Sequence, residues 1–381
     1  MRSPSREPDF GSARRSLYAW YDATKRDLPW RRTNDPYAVL VSELMLQQTR
    51  VEVVVPYFEA FLAVYPSVER LAAASEDEVL ARWSGLGYYR RARFLHRAAR
   101  ELVAAGVWPR TTCGLRALPG IGEYTAAAVA SIAFGEMAPA LDGNVERVLC
   151  RRLALAGDPK RSATRARLRE AARELLDPTR PGDGNQALME LGATVCRPRS
   201  PGCERCPLTR GCAARAQGRP ESFPQPRARR RRVAVRWHLA VVRDGERVLL
   251  ARRPSAAAVL PGLWSLPAFE PESAQPEAVA AEIEAALAHR WGGRWRLVGL
   301  PARARHAITH RDLELLVHTA QWEPDRVVAE GGELGWFDAR ERRSLPRTAI
   351  VEKALVALAG AAAPRLTAPR GRRPPRDRRR G

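Results

Sequence analysis

The sequence predicts two domains of different class, a mainly helical N-terminal domain and a smaller α+β C-terminal domain. Its 381 residues are enough for two or three domains at about 150 residues each. The periodicity of the apolar residues changes from helical to strand-like across 219–232, a segment rich in proline and arginine that predicts an exposed linker. We therefore expect a helical domain at 1–218, a basic linker at 219–232, an α+β domain at 233–360 and a disordered basic tail at 361–381.

Hydrophobic periodicity predicts the elements within each domain. Apolar residues recur at helical spacing in 37–61, 78–83 and 126–134, which predicts helices joined by short turns. After the linker, β-branched and apolar runs predict strands, and the first two are joined across Asp244-Gly245, a typical hairpin dipeptide. The predicted C-terminal elements are strands at 233–242, 247–251, 297–299, 313–322 and 334–337, and helices at 276–289 and 347–359.

The composition is typical of a globular protein. Hydrophobic residues make up 45% of the chain and charged residues 28%, with 10 tryptophans, which excludes a disordered chain. No apolar run reaches the roughly 18 residues of a membrane span, and the charged N-terminus lacks the apolar segment of a secretory signal. We therefore expect a cytoplasmic protein with no membrane partner and no disulfide bonds.

The charge balance favours a polyanionic partner. The formal net charge is +22, from 64 lysines and arginines against 42 aspartates and glutamates, and nucleic acid is favoured over an anionic membrane surface. The alternative is a GC-rich coding bias, because all but three of these cations, Lys25, Lys160 and Lys353, are arginines. Charge alone does not indicate an enzyme.

The strongest local signal is a cluster of four cysteines in one short basic loop, spaced C-x6-C-x2-C-x5-C: Cys196, Cys203, Cys206 and Cys212. In a cytosolic protein this spacing predicts a metal site, and thiolate ligands suit zinc or an iron–sulfur cluster equally well. The remaining Cys113 and Cys150 are scattered and are expected to be ordinary core cysteines. We expect the cluster to be structural, closing a loop whose arginines can meet phosphates.

A second signal is the segment LPGIGEYTAAA that begins at Leu118. Pro119 and Gly120 are expected to end one helix, Gly122 lets the backbone turn, and the alanine-rich segment begins another helix. Such a helix-hairpin-helix binds a DNA phosphate through the free N–H groups of the second helix, without reading base sequence. The alternative is an ordinary turn between two helices.

Three polar residues in apolar surroundings are further candidates. Asp142 and Asn144 flank a glycine before an amphipathic helix, and the simplest interpretation of each is a helix cap. Glu43 lies in the apolar segment VSELMLQQT, where a carboxylate is either a surface residue or a functional acid.

Together these motifs resemble the adenine DNA glycosylase (MutY) family, within the helix-hairpin-helix superfamily that also contains endonuclease III. The resemblance covers nearly the whole chain. It is carried by LPWR from Leu28, SELMLQQTRV from Ser42, GLGYY from Gly85, the hairpin, LDGNV from Leu141, NQALMELGA from Asn185 and the cysteine spacing. In this family the four cysteines hold a [4Fe–4S] cluster.

The resemblance implies a division of labour between two carboxyl groups. Glu43 protonates adenine N7 and helps to deliver water, and its apolar neighbours raise its pKa. Asp142 stays ionised and stabilises the cationic sugar, as its expected place at a helix N-terminus favours. Asn144 orients the water or the sugar, and Tyr124 supports the same face. We expect the Glu43→Gln variant to lose excision and keep DNA binding.

The resemblance also implies the DNA contacts. Because the target base lies inside the duplex, it must be flipped out, and the family assigns the wedging contacts to Gln48 and Tyr88. The residues expected beside them or around the adenine are Leu46, Thr49, Trp30, Arg31 and Gln186, with Gly120 and Gly122 at the phosphate. For Tyr88 the alternative is a packed aromatic in a tight turn.

One position separates two kinds of enzyme in the superfamily. Glycosylases that also cut the DNA backbone carry a nucleophilic lysine where this hairpin has Tyr124, and the hairpin contains no lysine. Lys160 is the nearest in sequence. A monofunctional glycosylase that leaves an abasic site is therefore expected.

The C-terminal domain resembles the Nudix-like domain of the same family, which recognises 8-oxoguanine opposite the adenine. Nudix hydrolases carry a Glu-rich metal-binding helix, and PEAVAAEIEAALAHR at 276–290 lacks that pattern, so nucleotide hydrolysis is not expected. The family's Phe-Ser-His is matched by Ile308, Thr309 and His310. Thr309 keeps the hydroxyl, whereas Ile308 cannot stack as phenylalanine does; the alternative is an ordinary strand entry.

The sequence thus predicts a monomeric, bacterial, nucleoid-associated enzyme that removes adenine mispaired with 8-oxoguanine or guanine in double-stranded DNA. One alternative is an endonuclease III-like lyase acting on oxidised pyrimidines, which Tyr124, Asn144 and the extra domain disfavour. The other is a catalytically silent DNA-binding protein, which the presence of both Glu43 and Asp142 disfavours.

Overall fold

The computed structural model describes residues 9–225, 231–270, 276–325 and 333–362. The chain divides into two compact units, Met1–Arg230 with Ser344–Pro346, and Arg231–Arg343 with Arg347–Gly381. The predicted tail lies outside the described residues apart from 361 and 362. Within the described ranges, no helix is long and apolar enough to cross a membrane.

The described part of the first unit is helical, as predicted. Its helices are α1 (Phe10–Thr24), α2 (Pro36–Leu46), α3 (Val51–Val64), α4 (Val68–Ala73), α5 (Glu76–Arg82), α6 (Arg90–Ala105), α7 (Thr112–Arg116), α8 (Glu123–Phe134), α9 (Gly143–Arg152), α10 (Ser162–Leu175), α11 (Pro181–Thr194) and α12 (Ala213–Ala216). Short 3₁₀ helices cover Pro29–Arg31, Cys203–Arg205 and Pro220–Ser222. The single helical stretch predicted at 37–61 is two helices, because Gln48 between them takes a φ of +58°, which an α-helix cannot contain.

Two helices of the first unit, α2 and α8, are buried on nearly every side. Their sequences are apolar all round rather than amphipathic, as expected of helices in the centre of a domain. Small residues let the neighbouring helices approach closely. A Cβ on Gly182 of α11 would lie 2.7 Å from Ile132 Cα of α8, and one on Gly192 would lie 2.5 Å from Asn144 Cβ. These approaches place the ends of α8, α9 and α11 beside one another.

The segment predicted as an exposed linker begins inside the first unit. Phe223 is buried, and its carbonyl accepts a hydrogen bond from Arg151 Nε at 3.1 Å. The prediction of exposure from residue 219 is therefore wrong at this position, because an apolar residue among the prolines packs onto the domain. Cys113, expected in the core, is exposed, whereas Cys150 is buried as expected.

The second unit has the predicted α+β class. Its strands are β1 (Val233–Val241), β2 (Arg243–Asp244), β3 (Arg247–Arg252), β4 (Trp264–Ser265), β5 (Ala268–Phe269), β6 (Arg294–Ile308), β7 (Arg311–Glu323) and β8 (Leu334–Phe337), and its helices are α13 (Pro276–Trp291), α14 (Ala339–Ser344) and α15 (Ile350–Ala362). One sheet has the order β5-β1-β7-β6, and in the other β3 pairs with β2, β4 and β8.

The predicted hairpin between the first two strands is partly wrong. A turn does follow Asp244, but the strand it joins to β3 is the two-residue β2. The long β1 belongs to the other sheet, where it pairs in parallel with β7 from Val233 to Val241. The dipeptide signal is local and identifies the turn, whereas the partner of β1 depends on burial on both faces of the sheet.

Candidate active site

A cavity of about 760 Å³ opens in the first unit and is lined by residues from helices α2, α8, α9 and α11. It brings together most of the candidates from the sequence: Glu43, Tyr124, Asp142, Asn144, Trp30, Arg31, Leu46, Gln48, Thr49, Gly120, Gly122 and Gln186. Tyr88 is not among the lining residues, and Thr309 and His310 belong to the second unit.

Glu43 is a deeply buried acid of this cavity, with 5% of its surface exposed. It lies in the apolar helix α2, and its Oε2 accepts a hydrogen bond from the Tyr124 hydroxyl at 2.6 Å. Burial raises the pKa of Glu43 to about 7, and the nearby charge of Asp142 adds to the rise while the Tyr124 hydrogen bond opposes it. At neutral pH the group is thus poised between its acid and its base form.

Asp142 is the N-cap of α9, as the cap interpretation predicts. Its Oδ1 accepts from the Val145 amide at 2.7 Å, and its Oδ2 accepts from the Asn144 side-chain amide at 3.0 Å. Burial raises the pKa of Asp142, and these hydrogen bonds limit the rise. Asp142 therefore caps helix α9 and also lines the cavity. The cap interpretation does not exclude a functional role.

Arg147 links this pair to the cysteine loop. Its Nη2 donates to Asn144 Oδ1 at 2.8 Å and to the Gly192 carbonyl at 2.9 Å, and its Nε donates to the Cys196 carbonyl at 2.8 Å. The orientation of Asn144 is thus set by an arginine one turn along α9. The sequence analysis missed Arg147, because one of its partners lies 49 residues away.

A buried ion pair forms another wall of the cavity. Glu190 of α11 accepts two hydrogen bonds from Arg26, at 2.7 and 2.8 Å, and one from Arg31 at 2.8 Å. Burial opposes ionisation of Glu190, but these hydrogen bonds lower its pKa below the usual value. Trp30 is buried beside them and meets the Phe58 ring edge to face. Glu190 was missed although it shows the signal that singled out Glu43, an acid within an apolar helix.

The hairpin between α7 and α8 has the predicted local geometry. Gly120 takes a φ of +72°, and a Cβ there would overlap the Phe94 ring. Gly122 is the N-cap of α8 and makes no side-chain cap. The first N–H groups of α8 therefore have no capping side chain, which is the property that lets such a turn bind an anion.

The two predicted wedge residues lie in two short loops. Gln48 follows α2, and Tyr88 precedes α6 with 41% of its surface exposed. Both take left-handed backbone conformations, with φ of +58° and +50°, which are unusual for residues other than glycine. Tyr88 is thus partly exposed to solvent, unlike the fully packed aromatic of the alternative interpretation.

The four cysteines of the loop line one small cavity, together with Arg151, Arg152 and Arg215. All four are unpaired thiols, and Arg151 Nη1 lies 3.4 Å from Cys196 Sγ. Burial raises the pKa of Cys203, and that of Cys206 to about 12, and the neighbouring thiols raise both further. In the described chain, no three Cys, His, Asp or Glu side chains are grouped tightly enough for a single metal ion. The loop thus collects four sulfurs around one shared space.

The lesion-recognition candidates of the second unit form the tip of a hairpin. Thr309 and His310 connect β6 to β7 and are exposed. Thr309 has a φ of +52°, and its hydroxyl lies 3.3 Å from His310 Nδ1. Ile308 is the last residue of β6, so the interpretation as a strand entry is replaced by a two-residue turn.

Comparison with known protein families gives two matches. Residues 41–174 match the HhH-GPD superfamily of base excision DNA repair proteins, and residues 238–357 match the NUDIX domain. A solved structure of a thermostable thymine-DNA glycosylase is 30% identical, with a TM-score of 0.50 over 54% of this chain and 98% of that chain.

Several relatives found by sequence comparison are adenine DNA glycosylases. That of Mycolicibacterium smegmatis is 45% identical over 56% of this chain and 73% of its own length. That of Homo sapiens is 38% identical over 80% of this chain, and that of Rattus norvegicus 49% identical over 57%. This chain covers 64% of the human protein and 45% of the rat protein, less than two thirds of each.

The burial of Glu43 predicts a pH-dependent gain in stability on its replacement by glutamine. Folding raises the pKa of the Glu43 carboxyl from 4.5 to about 7. The ionised group is therefore less favourable in the folded protein, and it lowers the free energy of unfolding as pH rises through this range. Above pH 8 the Glu43→Gln variant should be more stable than the wild type by on the order of 3 kcal/mol, and the difference should vanish below pH 4.

Urea unfolding at several pH values measures this difference. The same substitution at the exposed Glu101 of α6 is the control and should change the free energy of unfolding little at any pH. Equal stability of the wild type and Glu43→Gln at both pH 5 and pH 8.5 would mean that Glu43 is not desolvated.

Proposed function

The chain belongs to the adenine DNA glycosylase family, and we propose that it flips adenine out of duplex DNA and removes it by hydrolysis where it faces 8-oxoguanine or guanine. The observation that carries this proposal is the pair of buried carboxyl groups, Glu43 and Asp142, in one cavity with different hydrogen-bond environments. Glycoside hydrolysis requires such a pair, one group to give a proton and one to remain charged.

Glu43 is the proposed acid. Adenine leaves poorly as an anion, so cleavage of its N-glycosidic bond is assisted by protonation at N7. A pKa of about 7 leaves a large share of the Glu43 carboxyl groups protonated at neutral pH, whereas an exposed glutamate would be almost fully ionised. The Tyr124 hydroxyl holds the carboxyl in place at 2.6 Å. After transfer, the Glu43 carboxylate can accept a proton from the attacking water.

Asp142 is the proposed stabiliser of the sugar. Loss of the base leaves positive charge on the deoxyribose, and a fixed carboxylate nearby lowers the energy of that state. The Val145 amide and the Asn144 side chain both donate to Asp142, and the N-terminus of α9 favours its ionised form. Asn144, itself oriented by Arg147, is the proposed ligand of the water or the sugar.

Glu190 is the proposed reader of the base. An ionised carboxylate accepts hydrogen bonds only, so it favours the 6-amine of adenine over the 6-carbonyl of guanine or the 4-carbonyl of thymine. Arg26 and Arg31 keep Glu190 ionised and fix its orientation. Trp30 and Gln186 line the same cavity and complete the pocket for a flipped purine.

Flipping the adenine requires a wedge in the base stack and a contact that holds the DNA backbone. We assign the wedge to Gln48 and Tyr88, whose loops project from the same helical unit, with Leu46 and Thr49 beside Gln48. The uncapped N-terminus of α8 at Gly120 and Gly122 is the proposed phosphate site, and it offsets part of the cost of unstacking.

The enzyme is proposed to be monofunctional and to leave an abasic site. The position that carries the lysine of a lyase holds Tyr124, whose pKa burial raises well above its usual value. Lys160 does line the cavity, but its ammonium pairs with Glu146 at 2.6 Å, and an ion-paired ammonium is a poor nucleophile.

A [4Fe–4S] cluster is the proposed occupant of the cysteine loop, held by Cys196, Cys203, Cys206 and Cys212. Four thiolates together are stable only beside a positive metal centre, and membership of the adenine DNA glycosylase family favours a cluster over one zinc ion. When bound, the cluster would supply structural closure of the loop. Through the Cys196 carbonyl and Arg147, that closure supports Asn144.

The second unit is proposed to read the base opposite the adenine. Thr309 and His310 stand exposed at a hairpin tip, where a hydroxyl and an imidazole can reach the extra polar group of 8-oxoguanine. Nucleotide hydrolysis by this unit is not proposed, because the segment 276–290 lacks the Glu-rich metal-binding pattern of Nudix hydrolases. We further propose that the protein acts as a monomer on the nucleoid of the bacterial cytoplasm.

A panel of duplexes tests this function directly. Under single-turnover conditions, strand breaks should appear only after alkali, and only where adenine faces 8-oxoguanine or guanine. Adenine opposite thymine and a thymine glycol duplex are the negative controls, and Glu43→Gln should bind the 8-oxoguanine duplex without cutting it. Breaks at thymine glycol without alkali would assign the protein to the lyases.

The pH dependence of the chemical step tests the role of Glu43. Since the proposed acid must carry a proton, the single-turnover rate should fall about tenfold per pH unit above the pKa of Glu43, about 7. An unchanged rate between pH 6.5 and pH 8.5, with binding held saturating, would contradict the acid assignment. The Glu101→Gln control should keep the wild-type profile.

Iron analysis and visible absorption of the purified protein test the cofactor. We expect about four irons per chain and a broad thiolate-to-iron absorption band, both greatly reduced in Cys206→Ser. The matched control is Cys113→Ser, an exposed cysteine outside the loop, which should keep both. A colourless protein with one zinc would replace the cluster with a zinc site.

A further inference from the structure

One buried arginine, Arg91 at the start of α6, contacts both proposed wedge loops. Its Nη1 donates to the carbonyls of Leu44 and Met45 at 2.9 and 2.8 Å and to that of Gln47, at the end of α2. Its Nη2 donates to the Gly87 carbonyl at 3.0 Å and to the Thr49 hydroxyl at 3.1 Å. A single guanidinium thus joins two loops that lie about forty residues apart in sequence.

The contacts of Arg91 fall beside the strained residue of each wedge loop. Gln47 precedes Gln48, and Gly87 precedes Tyr88, and both of these following residues have a positive φ. A non-glycine residue in that region costs of order 1 kcal/mol or more and persists only where its surroundings impose it. Arg91 donates to the carbonyl immediately before each strained residue, and its guanidinium lies 5.3 Å from the centre of the Tyr88 ring.

Arg91 is held by carbonyl and hydroxyl oxygens, and burial lowers its pKa to about 10. Among the described residues, its hydrogen-bond partners are carbonyl and hydroxyl oxygens, and no carboxylate forms a salt bridge with it. Two of those carbonyls end helix α2 and carry its negative dipole. An apolar residue in its place would leave these buried carbonyls without a donor. The arginine satisfies them and fixes their positions.

From this geometry, and resting on the proposed function, we propose that Arg91 is the positioning residue that holds Gln48 and Tyr88 as one preformed wedge. The two side chains then enter the duplex without first having to order their loops. Arg91 acts through those loops and does not touch the reacting atoms. Its loss should slow base flipping more than the cleavage that follows.

Arg91→Lys is the informative variant, because a lysine keeps the charge and lacks the fork that reaches both loops. The exposed Arg97 of the same helix provides the matched control, Arg97→Lys. Hydrogen exchange of the free proteins should show faster exchange in both segments, 44–50 and 85–91, for Arg91→Lys only. This measurement needs no DNA and does not depend on the proposed function.

Flipping is measured with 2-aminopurine in place of the target adenine, opposite 8-oxoguanine, in the non-cleaving Glu43→Gln background. The fluorescence increase on binding should be slowed about tenfold by Arg91→Lys and unchanged by Arg97→Lys. Excision of adenine should fall by a similar factor in the otherwise wild-type protein. Addition of Tyr88→Ala to Arg91→Lys should cost less than Tyr88→Ala alone, because both changes disable the same wedge.

Three outcomes would overturn the proposal. One is unchanged exchange in either loop, and another is slower excision with normal flipping, which would place the effect at Glu43. The third is full additivity of the Arg91 and Tyr88 changes. If the wild-type protein excised no adenine while both loops exchanged faster in Arg91→Lys, the proposed function would fail and the coupling of the loops would stand.

Discussion

The chemistry of the cavity depends on the burial of a carboxyl group, Glu43, inside an apolar helix. Removing a carboxylate from water costs several kcal/mol unless it is neutralised or paired, and no cation forms a salt bridge with Glu43 among the described residues. Helix α2 must therefore be apolar on every side, and Tyr124 must present its hydroxyl from α8. Close packing of α8 against α11, which Gly182 permits, keeps that hydroxyl in place. The raised pKa of Glu43 thus depends on the packing of three helices, α2, α8 and α11.

The same cavity holds acids in three different environments, and hydrogen bonding sorts them. Glu43 has a single neutral donor, Asp142 has an amide N–H and a side-chain amide, and Glu190 has two guanidinium groups. Their pKa values follow this order: raised to about 7, raised, and lowered. Burial pushes all three in one direction, so the donors decide which acid keeps its proton. A proton donor, a charge stabiliser and a base reader can therefore share one pocket.

Sequence reasoning succeeded where a feature is local and failed where it depends on distant partners. Helical periodicity, the hairpin glycines and the cap at Asp142 are local, and the structure has each of them. Glu43 considered by itself looked like a surface acid, and only the combination of motifs indicated otherwise. Arg147 and Arg91 left no pattern, since their partners include backbone carbonyls up to 49 residues away. Glu190 lies in an apolar helix as Glu43 does, but its partner Arg26 is 164 residues away. The strand partner of β1 was missed for the same reason.

A few of the arginines have a structural role that neither coding bias nor DNA binding supplies. Arg91, Arg151 and Arg152 are almost fully buried, and each donates to several backbone carbonyls at loops and helix ends. A guanidinium can do this because its planar fork offers five donors in fixed directions and is weakly hydrated, whereas an ammonium offers a single point of charge. Part of the formal charge of +22 consequently lies inside the protein, where the guanidinium groups hold irregular backbone in place. The net charge is therefore larger than the positive charge on the surface that phosphates can reach. The buried arginines that account for the difference also fix the shape of the wedge loops and the cysteine loop.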